Sequence, residues 1–131
     1  MYLQERQLAA KILPMQPKYM ENSILFTLPG PVARYLAAEK AKDVDMLALC
    51  FAGDALVHDE ARDYRGLDAI KSWKREADRK YQYVLEPLDA SVSDETVRLR
   101  ARLTGNFPGS PVELDYTFAL ANDRIASLEI Q

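Results

Sequence analysis

Apolar residues recur along this chain with two different periods, and the change of period separates a helical first part from a strand-rich second part. After the strong break Pro29-Gly30-Pro31, the residues Val32, Tyr35, Leu36 and Glu39 stand three and four positions apart, the spacing that lines one helix face. A proline at a helix start gives up no hydrogen bond, so a first helix is predicted over about 31–42. Asp43 is placed to cap a second helix, its carboxylate accepting from the free amides of the next turn. Val44, Leu47, Cys50 and Phe51 form the apolar stripe of that helix, and Gly53 is expected to end it. A short strand over 55–59 then alternates, with Ala55, Val57 and Asp59 on one side and Leu56 and His58 on the other. A polar loop over 60–65 leads to a helix over about 66–80, with Leu67, Ile70, Trp73 and Ala77 on one face.

From there on the period is two. Runs over 81–92, 96–107 and 112–121 read as strands, with a shorter one over 124–130 after the turn at Asn122-Asp123. Residues 97–103 alternate without a fault, the mark of a strand with one buried and one wet face. The Pro- and Gly-rich stretch from Phe107 to Pro111 turns the chain, so the strands flanking it should pair antiparallel. Within 81–92 the apolar parity changes near Pro87, which predicts a bulge that helps to curve the sheet. Helices first and antiparallel strands afterwards predict an α+β domain. A curved antiparallel sheet wraps around the N-terminal helices and leaves room for a cavity between them.

Composition narrows the function classes. A chain of 131 residues with 48% hydrophobic and 28% charged residues fits one soluble globular domain. Its net charge of −3 and its 17 scattered Lys and Arg make no basic patch, so nucleic acid is not an expected partner. Cys50 is the only cysteine and His58 the only histidine, which excludes a disulfide framework and zinc sites built from several such ligands. No metal or other cofactor is expected. No apolar run approaches the roughly 20 residues of a membrane span, and Glu5 and Arg6 interrupt the place of a secretory signal. A cytoplasmic protein without membrane contact is the expectation. Residues 1–28 read as an N-terminal extension, in which Leu3, Leu8, Ile12 and Leu13 can form a short docking helix, and residues 29–131 as the domain.

Three groups of residues carry a resemblance: the run Phe51-Ala52-Gly53-Asp54-Ala55-Leu56-Val57-His58-Asp59, the turn Tyr64-Arg65-Gly66 with Ala69-Ile70 and Trp73, and the closing Arg124-Ile125. Together they resemble the signature of the SnoaL-like group in the nuclear transport factor 2-like superfamily, relatives of ketosteroid isomerases and polyketide cyclases. The resemblance covers about residues 31–130. It implies a cone-shaped, cystatin-like α+β barrel around a pocket, and a homodimer formed through the outer sheet face. The superfamily includes isomerases, cyclases, dehydratases, transport adaptors and members without known activity, so fold does not name a reaction. A sharper likeness exists to ketosteroid isomerases, which carry a tyrosine on the first helix and an aspartate at the end of the short strand. Tyr35 and Asp59 occupy the corresponding places. This implies that Asp59 moves a proton beside a carbonyl while Tyr35 stabilises the developing enolate oxygen. The family's second, protonated aspartate falls on Asp115 by ungapped counting back from Arg124-Ile125.

The residues themselves leave other readings open. Alternation sets Asp115 with Glu113 and Thr117, opposite Val112, Leu114, Tyr116, Phe118 and Leu120, so Asp115 fits the catalytic role badly and an outer-face ion pair with Arg102 is its ordinary explanation. A one-residue slip would turn it inward. Asp59 also suits a strand end whose carboxylate accepts loop amides, Tyr35 a packed core ring, and His58 a surface position. Val57, Tyr64, Trp73, Tyr83, Tyr116 and Phe118 complete the candidate lining for a small apolar molecule. The expected function is that of a small-molecule-pocket protein doing cofactor-independent proton transfer, of isomerase or cyclase type, on an apolar carbonyl compound. A non-catalytic ligand-binding or dimerisation domain is the alternative.

Overall fold

The computed structural model describes residues 28–131, and the docking helix expected near the start of the chain lies outside them. Pro29 leads into α1, Gly30–Ala41, which stops where Lys42 takes a left-handed backbone with φ 56°. Asp43 caps α2, Val44–Ala48, by accepting from the Met46 amide at 3.0 Å. The helix ends earlier than its apolar stripe suggests. Cys50 instead begins a sheet connection, its carbonyl accepting from the Ile125 amide at 2.8 Å, and Phe51 pairs with Ile125. Gly53 therefore lies inside a strand, β1, Phe51–Asp59, and not at a helix end. An irregularity between Phe51 and Leu56 lets this strand follow its neighbour without strict alternation through Gly53.

Glu60 and Ala61, both left-handed, fold the chain back as β2, Arg62–Arg65, which pairs antiparallel with β1. The predicted polar loop is thus partly an edge strand. After Gly66 comes α3, Leu67–Tyr81. Four strands follow: β3, Val84–Ser93; β4, Thr96–Thr104; β5, Val112–Ala121; and β6, Arg124–Ile130. They complete one curved, unclosed sheet in the order β2-β1-β6-β5-β4-β3. All neighbours pair antiparallel except β1 and β6, which are parallel because the chain leaves β1 through α3 and returns to its flank only at the end. The expected bulge is present as a register shift between Pro87 and Asp89.

The inner face of the sheet carries Val57, Val97, Leu99, Phe118, Ile125 and Leu128, each at most 1% exposed. α1 presses Val32, Tyr35 and Leu36 against this face, and the Tyr35 ring meets Phe51 and Phe118 edge-on at 6.0 and 5.3 Å. The outer face holds a ladder of ion pairs. Arg100 reaches Asp115 at 3.0 Å and Glu113 at 3.4 Å, and Arg102 reaches Glu113 and Glu86 at 3.3 Å.

One contact fixes the β4–β5 connection against the end of α3. The Asn106 amide donates to the Tyr81 carbonyl at 2.7 Å, and a Cβ on Gly105 would stand 2.7 Å from that carbonyl oxygen and 2.8 Å from the Tyr83 Cα. Backbone on both sides leaves no room to give. Gly105→Ala is expected to lower stability by about 1–3 kcal/mol, read as a fall in the denaturant midpoint. An unchanged midpoint would show that the connection can move aside.

Candidate functional site

A cavity of about 700 Å³ opens between the end of β1, the second half of α3 and the β4–β5 connection. Asp59 enters its wall as the last residue of β1, and α3 contributes Trp73, Ala77 and Tyr81 at helical spacing. Leu103, Phe107, Val112, Leu114, Tyr116 and Ile130 close the other side, so the surface is mainly apolar and aromatic. Glu60, Ala61 and Pro108 are exposed at the mouth. There the Tyr81 hydroxyl donates to Glu60 Oε2 at 2.8 Å, and the Tyr81 and Phe107 rings meet edge-on at 5.8 Å.

Asp59 is half-buried, and its Oδ2 accepts from the Trp73 indole N–H at 3.0 Å. Burial pushes its pKa above the usual carboxylate value. The Trp73 hydrogen bond and the Glu60 backbone amide oppose that rise, while the neighbouring Glu60 charge adds to it. Tyr116 lies on the same wall, 2% exposed, and its hydroxyl makes no hydrogen bond among the described residues. Burial raises its pKa well above the ordinary phenol value, and the Glu39 and Asp59 charges act in the same direction. It is therefore a neutral donor. A carboxylate and a phenol without a hydrogen-bond partner among the described residues thus line one open-mouthed, largely apolar cavity.

Residues 32–128 match the sequence profile of the SnoaL-like domain. The chain belongs to the SnoaL-like family. Among solved structures it is similar to a candidate polyketide cyclase from Sinorhizobium meliloti, at 42% identity over 82% of this chain and 98% of that one, with a TM-score of 0.80. A protein of ketosteroid isomerase-like fold from Catenulispora acidiphila, solved in complex with trimethylamine, shares 21% identity over 80% of this chain and 86% of that one, at a TM-score of 0.70. A cystatin-fold protein from Novosphingobium aromaticivorans shares 21% over 77% and 94%, at 0.66. No curated protein matches significantly. Among the described residues, no helix is long and apolar enough to cross a membrane.

Within this SnoaL-like domain the residues singled out from the sequence separate into two groups. Asp59, Trp73, Tyr83 and Tyr116 line the cavity. Tyr35, Val57 and Phe118 lie beneath the wall in the solid core, and Tyr64 packs its ring against Trp73 at 6.2 Å from outside the lining. Tyr35 is the phenol that the ketosteroid isomerase likeness selects, yet its ring is wedged between Phe51 and Phe118 and does not reach the cavity. Asp115 is on the outer face and does not join the site. Its partner is Arg100, directly opposite in the β4–β5 register, and not the diagonal Arg102. His58 has the outward parity expected of it but still borders the mouth, and its Nδ1 lies 2.5 Å from Asp63 Oδ1. That hydrogen bond raises the imidazole pKa above its ordinary value.

A buried charge cluster behind Tyr83 has no counterpart in the sequence reading. Lys74, 1% exposed, contacts Glu39 Oε1, the Tyr83 hydroxyl and, at 2.8 Å, Asp78 Oδ1. Lys42 adds a contact to Glu39 Oε2 at 3.0 Å and donates to the Tyr83 carbonyl at 2.7 Å. The pattern did carry a signal. Glu39 shares the apolar face of α1, and Lys74 stands one turn from Ile70 beside Trp73 on the buried face of α3.

Removing Lys74 takes the buried ammonium away from Glu39 and leaves only the part-exposed Lys42 beside it, so Lys74→Met should cost about 3–5 kcal/mol in denaturant unfolding. The double variant Lys74→Met, Glu39→Leu should recover much of that loss, whereas a single variant as stable as the parent would mean that the cluster is solvated. Asp59 gives a pH test. Because its folded-state pKa is raised, the native chain binds the extra proton more readily than the unfolded chain does, and ionised Asp59 costs stability above the window. Asp59→Asn should therefore melt higher than the parent near neutral pH, with the gain shrinking as pH falls towards the ordinary aspartate value of 3.8. A gain independent of pH would point to another cause.

Proposed function

We propose that this SnoaL-like domain binds a small, largely apolar carbonyl compound and moves a proton on it without a cofactor, chemistry of the isomerase or cyclase type. The observation that carries this reading is the placement of Asp59, half-buried on a cavity wall, oriented by the Trp73 indole and raised in pKa by its surroundings. A carboxylate in that state is a stronger base than a solvated one, and once protonated it is an acid that persists nearer neutral pH. It would take a proton from the carbon beside the carbonyl. The C–H electron pair becomes the enolate π-bond, negative charge collects on the carbonyl oxygen, and the protonated Asp59 returns its proton to another carbon of the same system.

Tyr116, and not Tyr35, is the phenol on the wall and takes the donor role towards that oxygen. The candidate polyketide cyclase at 42% identity supports the same class of chemistry. A homodimer and a cytoplasmic setting belong to this reading as well.

The test is deuterium uptake by a panel of enolisable cyclic ketones in heavy water, followed by NMR. Asp59→Asn should lower uptake by about 10²-fold or more, Tyr116→Phe by about 10²-fold, and Tyr35→Phe should leave it near the parent rate. Unchanged uptake in Asp59→Asn would remove the base. An inert parent protein would leave the ligand-binding alternative.

A further inference from the structure

We propose that the cavity is a site for an organic cation, a ligand with a small alkylammonium head on a short apolar frame that also bears an oxygen. The inference deepens the reading above in that it rests on the cavity being a ligand site. It does not depend on Asp59 acting as a base.

Asp59 and Glu60 stand side by side on the wall, and neither belongs to an ion pair among the described residues. Among the described residues no Lys or Arg lines the cavity. The basic groups nearby are committed elsewhere. Lys42 and Lys74 are held by Glu39 and Asp78 behind Tyr83, and His58 at the mouth is held by Asp63. Lys80 lies 5.1 Å from the Tyr81 ring centroid and is not part of the wall. An anionic ligand would meet two carboxylates and, among the described lining residues, no lysine or arginine. A cation would compensate the half-buried Asp59 carboxylate and meet Glu60 at the mouth.

The rest of the lining selects the kind of cation. Trp73 and Tyr81 from α3, Phe107 from the β4–β5 connection and Tyr116 from β5 offer aromatic surface from three directions. Such walls suit a weakly hydrated, methylated ammonium, whose charge is attracted to ring faces while its methyl groups bury apolar area. A metal ion would forfeit its hydration for too few oxygens. Tyr116 supplies the third element: its hydroxyl is buried and without a partner among the described residues, so a ligand oxygen there satisfies it.

Choline and its uncharged carbon isostere 3,3-dimethyl-1-butanol separate these possibilities. Trp73 is the only tryptophan of the chain and lies on the wall, so its fluorescence reports occupancy, with calorimetry as a second measurement. At constant ionic strength choline should bind saturably and at least about tenfold more tightly than the alcohol. Glu60→Gln, which keeps an acceptor for the Tyr81 hydroxyl, should weaken choline about fivefold and leave the alcohol unchanged. Equal or tighter binding of the alcohol, or no saturable choline binding in either measurement, would overturn the proposal. Deuterium uptake by neutral ketones is independent of this outcome, so failure of the cation site and failure of the proton-transfer reading are told apart.

Discussion

Where α1 meets α3, a glutamate and a lysine have left water together, and the placing of both helices over the sheet turns on that pair. An ammonium group has three protons to donate, and Lys74 spends them on Glu39, Asp78 and Tyr83. Such a pair adds little net stability, because desolvation consumes much of the attraction. Its demand is geometric: α1 must present Glu39, α3 must present Lys74 and Asp78, and the residue just before β3 must present its phenol. One side of the cavity follows, since Tyr83 is both a member of the cluster and part of the wall.

The cavity is the share of the interior that α1 leaves unfilled. Along β5 the inward residues run from Phe118 to Tyr116. Tyr35 packs edge-to-face against the first, and the second, though almost fully buried, borders the cavity. The same step separates the two phenols by place: Tyr35 is part of the core that holds the sheet, whereas Tyr116 belongs to the cavity lining. A likeness between families can thus carry a residue type to the right neighbourhood while the chemistry passes to the next ring along.

Much of the architecture was legible because it follows from periodicity. The bounds of β5 and β6, the Asp43 cap and the bulge after Pro87 all stand where alternation, capping chemistry and the parity change put them. Gly53 misled because glycine suits a helix end and an irregular strand alike, and only the Phe51–Ile125 pairing decides between them. That partner lies far along the sequence. The same limit applies to Asp115: alternation gave its face, but the choice between Arg100 and Arg102 is a matter of register, set by how the β4–β5 connection closes. At the site, parity brought Asp59 inward, and helical spacing set Trp73 on the buried face of α3. Which phenol reached the cavity depended on how far α1 extends over the sheet, a tertiary quantity without a local signal.

The β4–β5 connection is anchored to the end of α3 through backbone, with Gly105 tucked beneath and the Asn106 amide on the Tyr81 carbonyl. Beyond that anchor, Phe107 and Pro108 project into the entrance without taking part in strand pairing. Recognition and architecture are therefore written in separate stretches of the chain. The tip can be recoded to admit broader or narrower guests while the hinge glycine and the strands stay as they are, which gives evolution, or a protein engineer, a place to retune selectivity without rebuilding the scaffold.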